Sequence, residues 1–173
     1  TTGEFSVSKI CPSSSFQSLL NPSSGPISKR ELLKFAAYAE NFSNHPIAIS
    51  LKAAYNKEFG ESINSCDIKG LKEIVGKGII ASIFGHQVII GNASMMQMYS
   101  IPLPVKDFTS TSLYIAINGV YAGNFIISDT IKPNAKKALN MLKSEAGVKQ
   151  TVLLTGDSEA AAKKVQVELK IDK

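Results

Sequence analysis

An acid and an imidazole stand five residues apart at a break between two apolar helical patterns. Glu40 and His45 occupy the stretch 39–46, and Pro46 directly follows the histidine. A carboxylate accepts hydrogen bonds, and an imidazole donates one or stacks on a flat ring. Next to a helix N-terminus, such a pair could bind an anion or a nucleotide. The same residues also suit an ordinary helix–helix connection with an exposed histidine, and the local sequence leaves both interpretations open.

Two helices must position this pair. Ser28 and Glu31 form an S-x-x-E capping box, which begins the first helix near residue 28. Pro46 suits the first turn of a second helix, which we expect Gly60 to end. Because a residue before proline is pushed into an extended conformation, we expect the His45 side chain to point away from both helices.

Two glycine-marked segments follow along the chain, Val75-Gly76-Lys77-Gly78-Ile79 and Ile90-Gly91-Asn92. Glycine allows the backbone to approach a flat or charged ligand closely, because it carries no side chain. The Gly-Lys-Gly sequence is also a common turn, so the local pattern again has two interpretations. It lacks the spacing and the Lys-Ser or Lys-Thr ending of a Walker loop, which excludes a P-loop NTPase. Asn92 suits the N-cap of a short helix through Met98.

Strand patterns surround these glycines and predict an antiparallel sheet, with the two helices covering one of its faces. Ile79–Phe84 and Gln87–Ile90 read as a hairpin closed by Gly85-His86. Ser112–Ile117 and Val120–Ile127 read as a second hairpin, and the Asn-Gly dipeptide between them is a strong type I′ turn signal.

After Asp129 the pattern changes to alternating helix and strand. We expect a helix that starts at Pro133, a short buried strand over Gln150–Leu154, and a helix over Ser158–Leu169. The turn Thr155-Gly156-Asp157 lies at the carboxyl end of that strand, where open α/β sheets bind their ligands. The same turn could serve only as the cap of the following helix.

Composition excludes several classes of protein. The 173 residues are 44% hydrophobic, but the longest apolar runs are too short to span a bilayer, and no signal peptide is visible. Cys11 and Cys66 stand far apart without a C-x-x-C motif, which favours reduced thiols over a disulfide framework or a metal site. The net charge of +5 is spread along the chain without a basic arm, so we expect no nucleic-acid partner. The run Met95–Met98 suits core filling better than soft-metal binding.

Four motifs in order resemble the cytoplasmic ATP-binding region of the heavy-metal-transporting (P1B) P-type ATPases. The resemblance implies an α/β (α+β) fold, in which an antiparallel-sheet nucleotide-binding domain is inserted into a Rossmann-like, haloacid-dehalogenase-like phosphorylation domain. Residues 8–122 would form the nucleotide-binding domain, and residues 1–7 and 123–173 would be fragments of the phosphorylation domain. The motifs that carry the resemblance are Glu40 with His45-Pro46, Gly76-x-Gly78-Ile79, Gly91-Asn92 and Thr155-Gly156-Asp157.

The resemblance also implies a role for each motif. Glu40 and His45 would flank the adenine of ATP, and Gly91 with Asn92 would shape the floor of the pocket. The base and ribose would be lined by Gly76, Gly78 and Ile79. Thr155, Gly156 and Asp157 would face the phosphorylated aspartate, and Mg²⁺ would accompany the nucleotide. No residue of the chain is assigned as a resident metal ligand.

In this family the phosphorylation signature runs Asp-Lys-Thr-Gly-Thr-Leu-Thr-x-Gly-x-Phe, and Thr1, Gly3 and Phe5 match its tail. We therefore expect the phosphorylated aspartate six residues before Thr1. We also expect the family's Mg²⁺-binding carboxylates and catalytic lysine to follow Lys173, so that this stretch binds nucleotide without turnover.

The resemblance implies partners and a location as well. The remaining phosphorylation, actuator and transmembrane domains of the same polypeptide would be the partners, and the stretch would be a cytoplasmic domain of an integral membrane protein. Two phrases near 121–129 and 151–157 look closer to the zinc/cadmium/lead branch than to the copper branch. Two rivals stay open: a haloacid-dehalogenase-like phosphatase, which would need an Asp-x-Asp strand that is not visible, and a non-enzymatic nucleotide-binding or interaction module.

Overall fold

The computed structural model describes residues 5–104, 112–129, 134–154 and 159–173, without the side chains of residues 129, 159–161 and 164. The chain divides into two compact units, Glu4–Ser128 and Asp129–Lys173. No helix in the described part of the chain is both long enough and apolar enough to cross a membrane. The turn 155–157 lies outside the described residues, so its predicted role stays a prediction.

The first unit is built on one six-stranded sheet, with strand order β1-β6-β5-β4-β3-β2. The pairs from β2 through β6 are antiparallel. Two helices precede the second strand, and a short one follows the fourth. The elements are β1 (Phe5–Pro12), α1 (Lys29–Ala39), α2 (Pro46–Phe59), β2 (Ile68–Ile74), β3 (Gly78–Ile83), β4 (His86–Gly91), α3 (Ala93–Met98), β5 (Ser112–Ile117) and β6 (Val120–Asp129).

Both faces of the sheet carry apolar clusters, because successive side chains of a strand point to opposite faces. On β4, Ile90 belongs to the larger cluster, which packs against α1 and α2, and Ile89 belongs to the smaller one, which packs against α3. Met95 and Met96 are fully buried in the smaller cluster, which confirms their prediction as core residues. The same prediction is wrong for Met98, which is 54% exposed. Both faces of the sheet are thus packed at β4, next to Gly91.

The predicted hairpins are present, with one change of turn. Asn118 and Gly119 both have positive φ, at 51° and 79°, as a type I′ turn requires. The first hairpin turns at Phe84 and Gly85, with φ of 53° and 82°, rather than at Gly85 and His86. His86 instead begins β4, where it pairs with Ile83. The Phe84 ring packs edge-on against Phe35 at 5.8 Å, and this aromatic contact accompanies the φ that a phenylalanine rarely adopts.

The capping box at the start of α1 forms only by half. The Ser28 hydroxyl accepts from the Glu31 N–H at 3.1 Å, as predicted. The Glu31 carboxylate does not return to Ser28 but accepts from the Ser18 hydroxyl at 2.6 Å and from the N–H groups of Leu19 and Leu20 at 2.8 and 3.0 Å. The buried acid therefore fastens the preceding loop to α1.

The second unit contains α4 (Ala135–Ser144) and α5 (Glu159–Leu169). The predicted buried strand over 150–154 is wrong: these described residues form no strand, and Val152 and Leu154 are 65% and 97% exposed. A strand of a parallel sheet is covered on both faces by other elements, and an apolar run alone cannot supply that cover. Residues 150–154 instead contact the residues that follow α5, since the Leu153 N–H donates to the Lys173 carbonyl at 2.6 Å.

Asp172 stabilises the same contact. Its carboxylate accepts from the Thr151 N–H and hydroxyl, both at 2.8 Å, and from the Lys143 ammonium at 2.9 Å. The Thr151 N–H, the Lys143 ammonium and the Thr151 hydroxyl together lower the pKa of Asp172 to about 2.

Candidate functional site

The structure brings seven of the ten predicted site residues together around one open cavity of about 370 Å³ in the first unit. Cavities of a few hundred Å³ are the usual size for small-molecule sites. The walls come from the end of α1, the start of α2, the β2–β3 turn and the end of β4. The predicted residues that line the cavity are Glu40, His45, Gly76, Gly78, Ile79, Gly91 and Asn92.

Glu40 is the buried acid of this cavity. It is the C-cap residue of α1, its N–H donates to the Ala36 carbonyl, and it is only 7% exposed. The pKa of Glu40 is raised to about 7, chiefly by burial and to a smaller extent by the nearby Glu73 carboxylate, while a hydrogen bond from Ser43 and the charge of Lys52 act in the opposite direction. A carboxyl group that titrates near neutrality can accept a hydrogen bond from an amine or donate one, depending on its protonation.

His45 is held by the helix that it begins. Its backbone is extended, at φ −62° and ψ 141°, as the following proline predicts. The expectation that its side chain points away from both helices is wrong, because Nδ1 accepts from the Ile47 N–H at 3.2 Å and caps α2. The ring acts as an Asn or Asp cap would, since Nδ1 can reach the orphan N–H two residues on. With Nδ1 used as an acceptor, the proton of the neutral ring is on Nε2.

Gly78 and Gly91 face each other across β3 and β4. A Cβ on Gly78 would collide with the Ile90 carbonyl oxygen, and one on Gly91 would collide with the Lys77 carbonyl oxygen. Gly78 also has φ +153°, a conformation that other residues rarely adopt. The close approach of two backbones is therefore a sufficient reason for both glycines, and approach to a ligand remains a prediction.

Asn92 joins the β2–β3 turn to α3. Its Oδ1 accepts from the Met95 N–H at 3.0 Å, so it is the predicted N-cap. Its Nδ2 donates to the Gly76 carbonyl at 2.8 Å, and its own N–H donates to the Lys77 carbonyl at 2.9 Å. Because the amide is occupied on both sides, Asn92 shapes the cavity by holding its wall. Gly76 itself, with φ +70° and open space around it, supplies the turn.

Several lining residues carry no signal in the sequence. Glu73 is an exposed residue of β2, and only the fold places its charge near Glu40. Phe5 lines the cavity from β1, which lies at the opposite edge of the sheet from β2. Lys77, between the two glycines of the β2–β3 turn, also lines the cavity. The remaining lining residues are Ser43, Ile47, Ile74, Ser112 and Leu113.

The cavity combines apolar surface with hydrogen-bonding side chains, which suits a flat heterocycle that carries an amine. Ile47 and Ile79 supply apolar surface, and the Glu40 carboxyl group and the His45 ring supply hydrogen-bonding groups. Within the described residues no three His, Cys, Asp or Glu side chains form a group that could hold a metal ion.

A family model described as a haloacid dehalogenase-like hydrolase matches residues 8–173. The chain belongs to the haloacid dehalogenase-like hydrolase family. Within that family, the resemblance to heavy-metal P-type ATPases is confirmed by the curated relatives. The chain is 37% identical over 171 residues to a cadmium, zinc and cobalt-transporting ATPase of Bacillus subtilis, and 35% identical over 167 residues to one of Helicobacter felis. The alignments cover 99% and 96% of this chain and 22% of each relative, so the chain spans about a fifth of their length.

Solved structures agree with this assignment. A zinc-transporting PIB-type ATPase in the E2.Pi state superposes with a TM-score of 0.70 at 25% identity, over 99% of this chain and 26% of that one. The catalytic domain of the CPx-ATPase CopB-B, described with its conformational changes upon nucleotide binding, gives a TM-score of 0.65 at 27% identity, over 100% of this chain and 55% of that one. The predicted fold class, an antiparallel sheet flanked by helices that is inserted in part of a haloacid-dehalogenase-like domain, is confirmed.

Proposed function

We propose that residues 1–173 form the ATP-binding region of an ATP-driven P-type ATPase that exports heavy-metal ions. The observation that carries the proposal is the single cavity in which Glu40, His45 and the glycine-marked turn meet. ATP would bind there with its Mg²⁺ and present the γ-phosphate to an aspartate that is not among these residues. This stretch alone would therefore bind nucleotide without turnover.

The chemistry of the cavity supports adenine as the base. An ionised Glu40 accepts from the exocyclic amine of adenine, whereas guanine places a carbonyl oxygen at the equivalent position. The Nε2–H of His45 is available for a ring nitrogen or for stacking, because Nδ1 is already used by α2. Lys77 is the one lysine among the lining residues, so the triphosphate would protrude from the cavity and the binding would be weak.

The whole protein would be an integral membrane enzyme, with this region on the cytoplasmic side and with actuator and transmembrane domains in the same polypeptide. In-line attack of the aspartate on the γ-phosphate would give an aspartyl-phosphate, with Mg²⁺ stabilising the transferred charge. The relatives named for cadmium, zinc and cobalt favour a cargo from that group over copper.

Titration of the ¹⁵N-labelled chain with ATP, ADP, AMP and GTP, followed by NMR, tests the proposal. We expect adenine nucleotides to shift resonances of residues 40–46, 76–79 and 91–92, with GTP much weaker. His45→Asn tests the role of the imidazole, because asparagine keeps an N-cap acceptor for α2 and removes only the ring. Loss of one ligand hydrogen bond should raise the Kd for ATP roughly tenfold.

Glu58→Gln is the matched control, since Glu58 is an exposed acid of α2 paired with Arg30 and does not line the cavity. It should bind ATP like the unmodified chain. The proposal is wrong if no resonance around the cavity moves with adenine nucleotides, or if His45→Asn and Glu58→Gln bind ATP equally well.

A further inference from the structure

The link between α1 and α2 carries two polar side chains of the cavity, Glu40 at its start and His45 at its end. Few contacts within the link fix its path. The Ser43 N–H donates to the Glu40 carbonyl at 3.1 Å, and the His45 N–H donates to the Ser43 hydroxyl at 3.2 Å. The carbonyl groups of Asn41 and Ser43 must find donors elsewhere.

Lys52 supplies those donors from the second turn of α2. Its ammonium donates to the Ser43 carbonyl at 2.9 Å and to the Asn41 carbonyl at 3.2 Å. Two main-chain oxygens of the link thus share one cation, which lies beside the C-terminal end of α1. A cation at that end is also favoured by the helix dipole and by the unpaired carbonyl groups there.

We propose that Lys52 is a positioning residue for the nucleotide site, because its ammonium fixes the link that aims Glu40 and His45 into the cavity. This inference deepens the proposed function and rests on it. Lys52 does not line the cavity, so its effect on a ligand is transmitted through the two side chains that it positions.

The charge of Lys52 has a second effect, which distinguishes positioning from simple structural support. Glu73 of β2 and Lys52 of α2 act on the charge of Glu40, and the other titratable groups that line the cavity are His45 at the start of α2 and Lys77 of the β2–β3 turn. Glu73 raises the pKa of Glu40, and Lys52 lowers it. Removal of the ammonium should therefore raise the pKa of Glu40, so that a larger fraction of the carboxyl groups is protonated at neutral pH. A protonated Glu40 is a weaker acceptor for the adenine amine than the carboxylate, so ATP affinity should fall most at neutral pH and recover at higher pH.

The experiment compares Lys52→Met with Lys52→Arg in the full 173-residue chain. Methionine keeps an unbranched side chain but has no charge and no hydrogen-bond donor. Arginine keeps the positive charge and the donors. For each variant the Kd for ATP is measured from pH 6 to 9, and the Glu40 carboxyl group is titrated by ¹³C NMR. We expect Lys52→Met to weaken ATP binding about tenfold at pH 7. Two curves should also move to higher pH: the dependence of the Kd on pH and the titration of the Glu40 carboxyl group. Lys52→Arg should restore most of the affinity and both curves.

Lys57→Met is the matched control, because Lys57 lies in the last turn of the same helix and away from the cavity. If Lys52→Met fails to fold, Lys52→Gln provides the same comparison with one amide donor and no charge. The inference is overturned if the uncharged variant loses thermal stability but keeps both pH curves of the unmodified chain. If the unmodified chain binds no ATP at all, the proposed function fails, and the positioning role fails with it.

Discussion

At the scale of single residues, Glu40 makes the stability of the fold depend on pH. Its carboxyl group is almost fully buried at the end of α1, where ionisation costs free energy. The folded state therefore holds the proton more tightly than the unfolded chain, with a pKa of about 7 against 4.5. The contribution of such a group to stability is fully present below the pKa of the unfolded chain, 4.5, and is lost as the pH rises through the pKa of the folded state, about 7.

Glu40→Gln should remove this pH dependence, because the amide cannot ionise. We expect the variant and the unmodified chain to be equally stable near pH 4.5, and the variant to be more stable at pH 8 by up to about 3 kcal/mol. Urea unfolding at both pH values, followed by circular dichroism, measures the difference. An unmodified chain that is as stable as Glu40→Gln at pH 8 would contradict the raised pKa.

At the scale of elements, Glu31 joins a loop to a helix through one carboxylate. Three donors from residues 18–20 converge on it, and the Ser18 hydroxyl also accepts from the Asn21 N–H at 3.0 Å. The polar, turn-rich segment before α1 is thereby fixed by polar contacts as well as by Phe16 and Ile27, which are buried in the larger apolar cluster. Hydrogen bonds to a buried ionised acceptor are among the stronger ones in proteins.

Glu31→Gln should therefore cost more than its small change in shape suggests. The amide NH₂ group would face a donor, so at least one buried N–H or hydroxyl would lose its acceptor, at about 1.5–3 kcal/mol. Urea unfolding at pH 7 measures the loss, and exposed Glu58→Gln, which should change stability by less than about 1 kcal/mol, is the reference. Equal stability of the two variants would show that the loop does not depend on Glu31.

At the scale of the whole molecule, the two units differ in how much they bury. In the first unit both faces of the sheet are covered by apolar clusters. Among the described residues from 134 onward, Leu169 is the only buried apolar side chain, and α4 buries none. Regions with few buried apolar contacts open at low free energy, even within a stable protein.

Amide hydrogen exchange should reveal this difference directly. We expect the amides of α4 and α5 to exchange orders of magnitude faster than those of β3, β4 and β5, because local opening exposes little apolar surface. Mass spectrometry of peptic peptides at pH 7 resolves the two groups. Protection of α4 as strong as that of β4 would contradict this expectation.

Local signals in the sequence predicted the elements whose cause is also local. The Asn118-Gly119 turn needs only two residues that tolerate positive φ, and Gly60 ends α2 in a left-handed conformation as predicted. The extended backbone of His45 followed from Pro46 alone. Its side chain did not, because capping by an imidazole nitrogen competes with the usual Ser, Thr, Asp or Asn caps, and the local sequence does not decide between them.

Features that depend on distant residues could not be read from the sequence. Glu73 lies near Glu40 because β2 and the end of α1 meet in the fold, and no periodicity contains that information. The exposed segment 150–154 has the composition of a buried strand, but its contacts depend on residues after α5. The resemblance to a family predicted the motif residues around the cavity, because members of a family share the tertiary structure that brings their motifs together.

The facing pair Gly78 and Gly91 bears on how genetic variants of this region should be interpreted. A variant at either glycine displaces a neighbouring backbone, so the cell would contain less folded protein, whereas a variant at His45 that keeps the helix cap would leave the amount unchanged. On the proposed function, an assay of ATP binding alone would score all three variants as defective. Measuring the amount of folded protein beside ATP binding would separate the first kind of defect from the second.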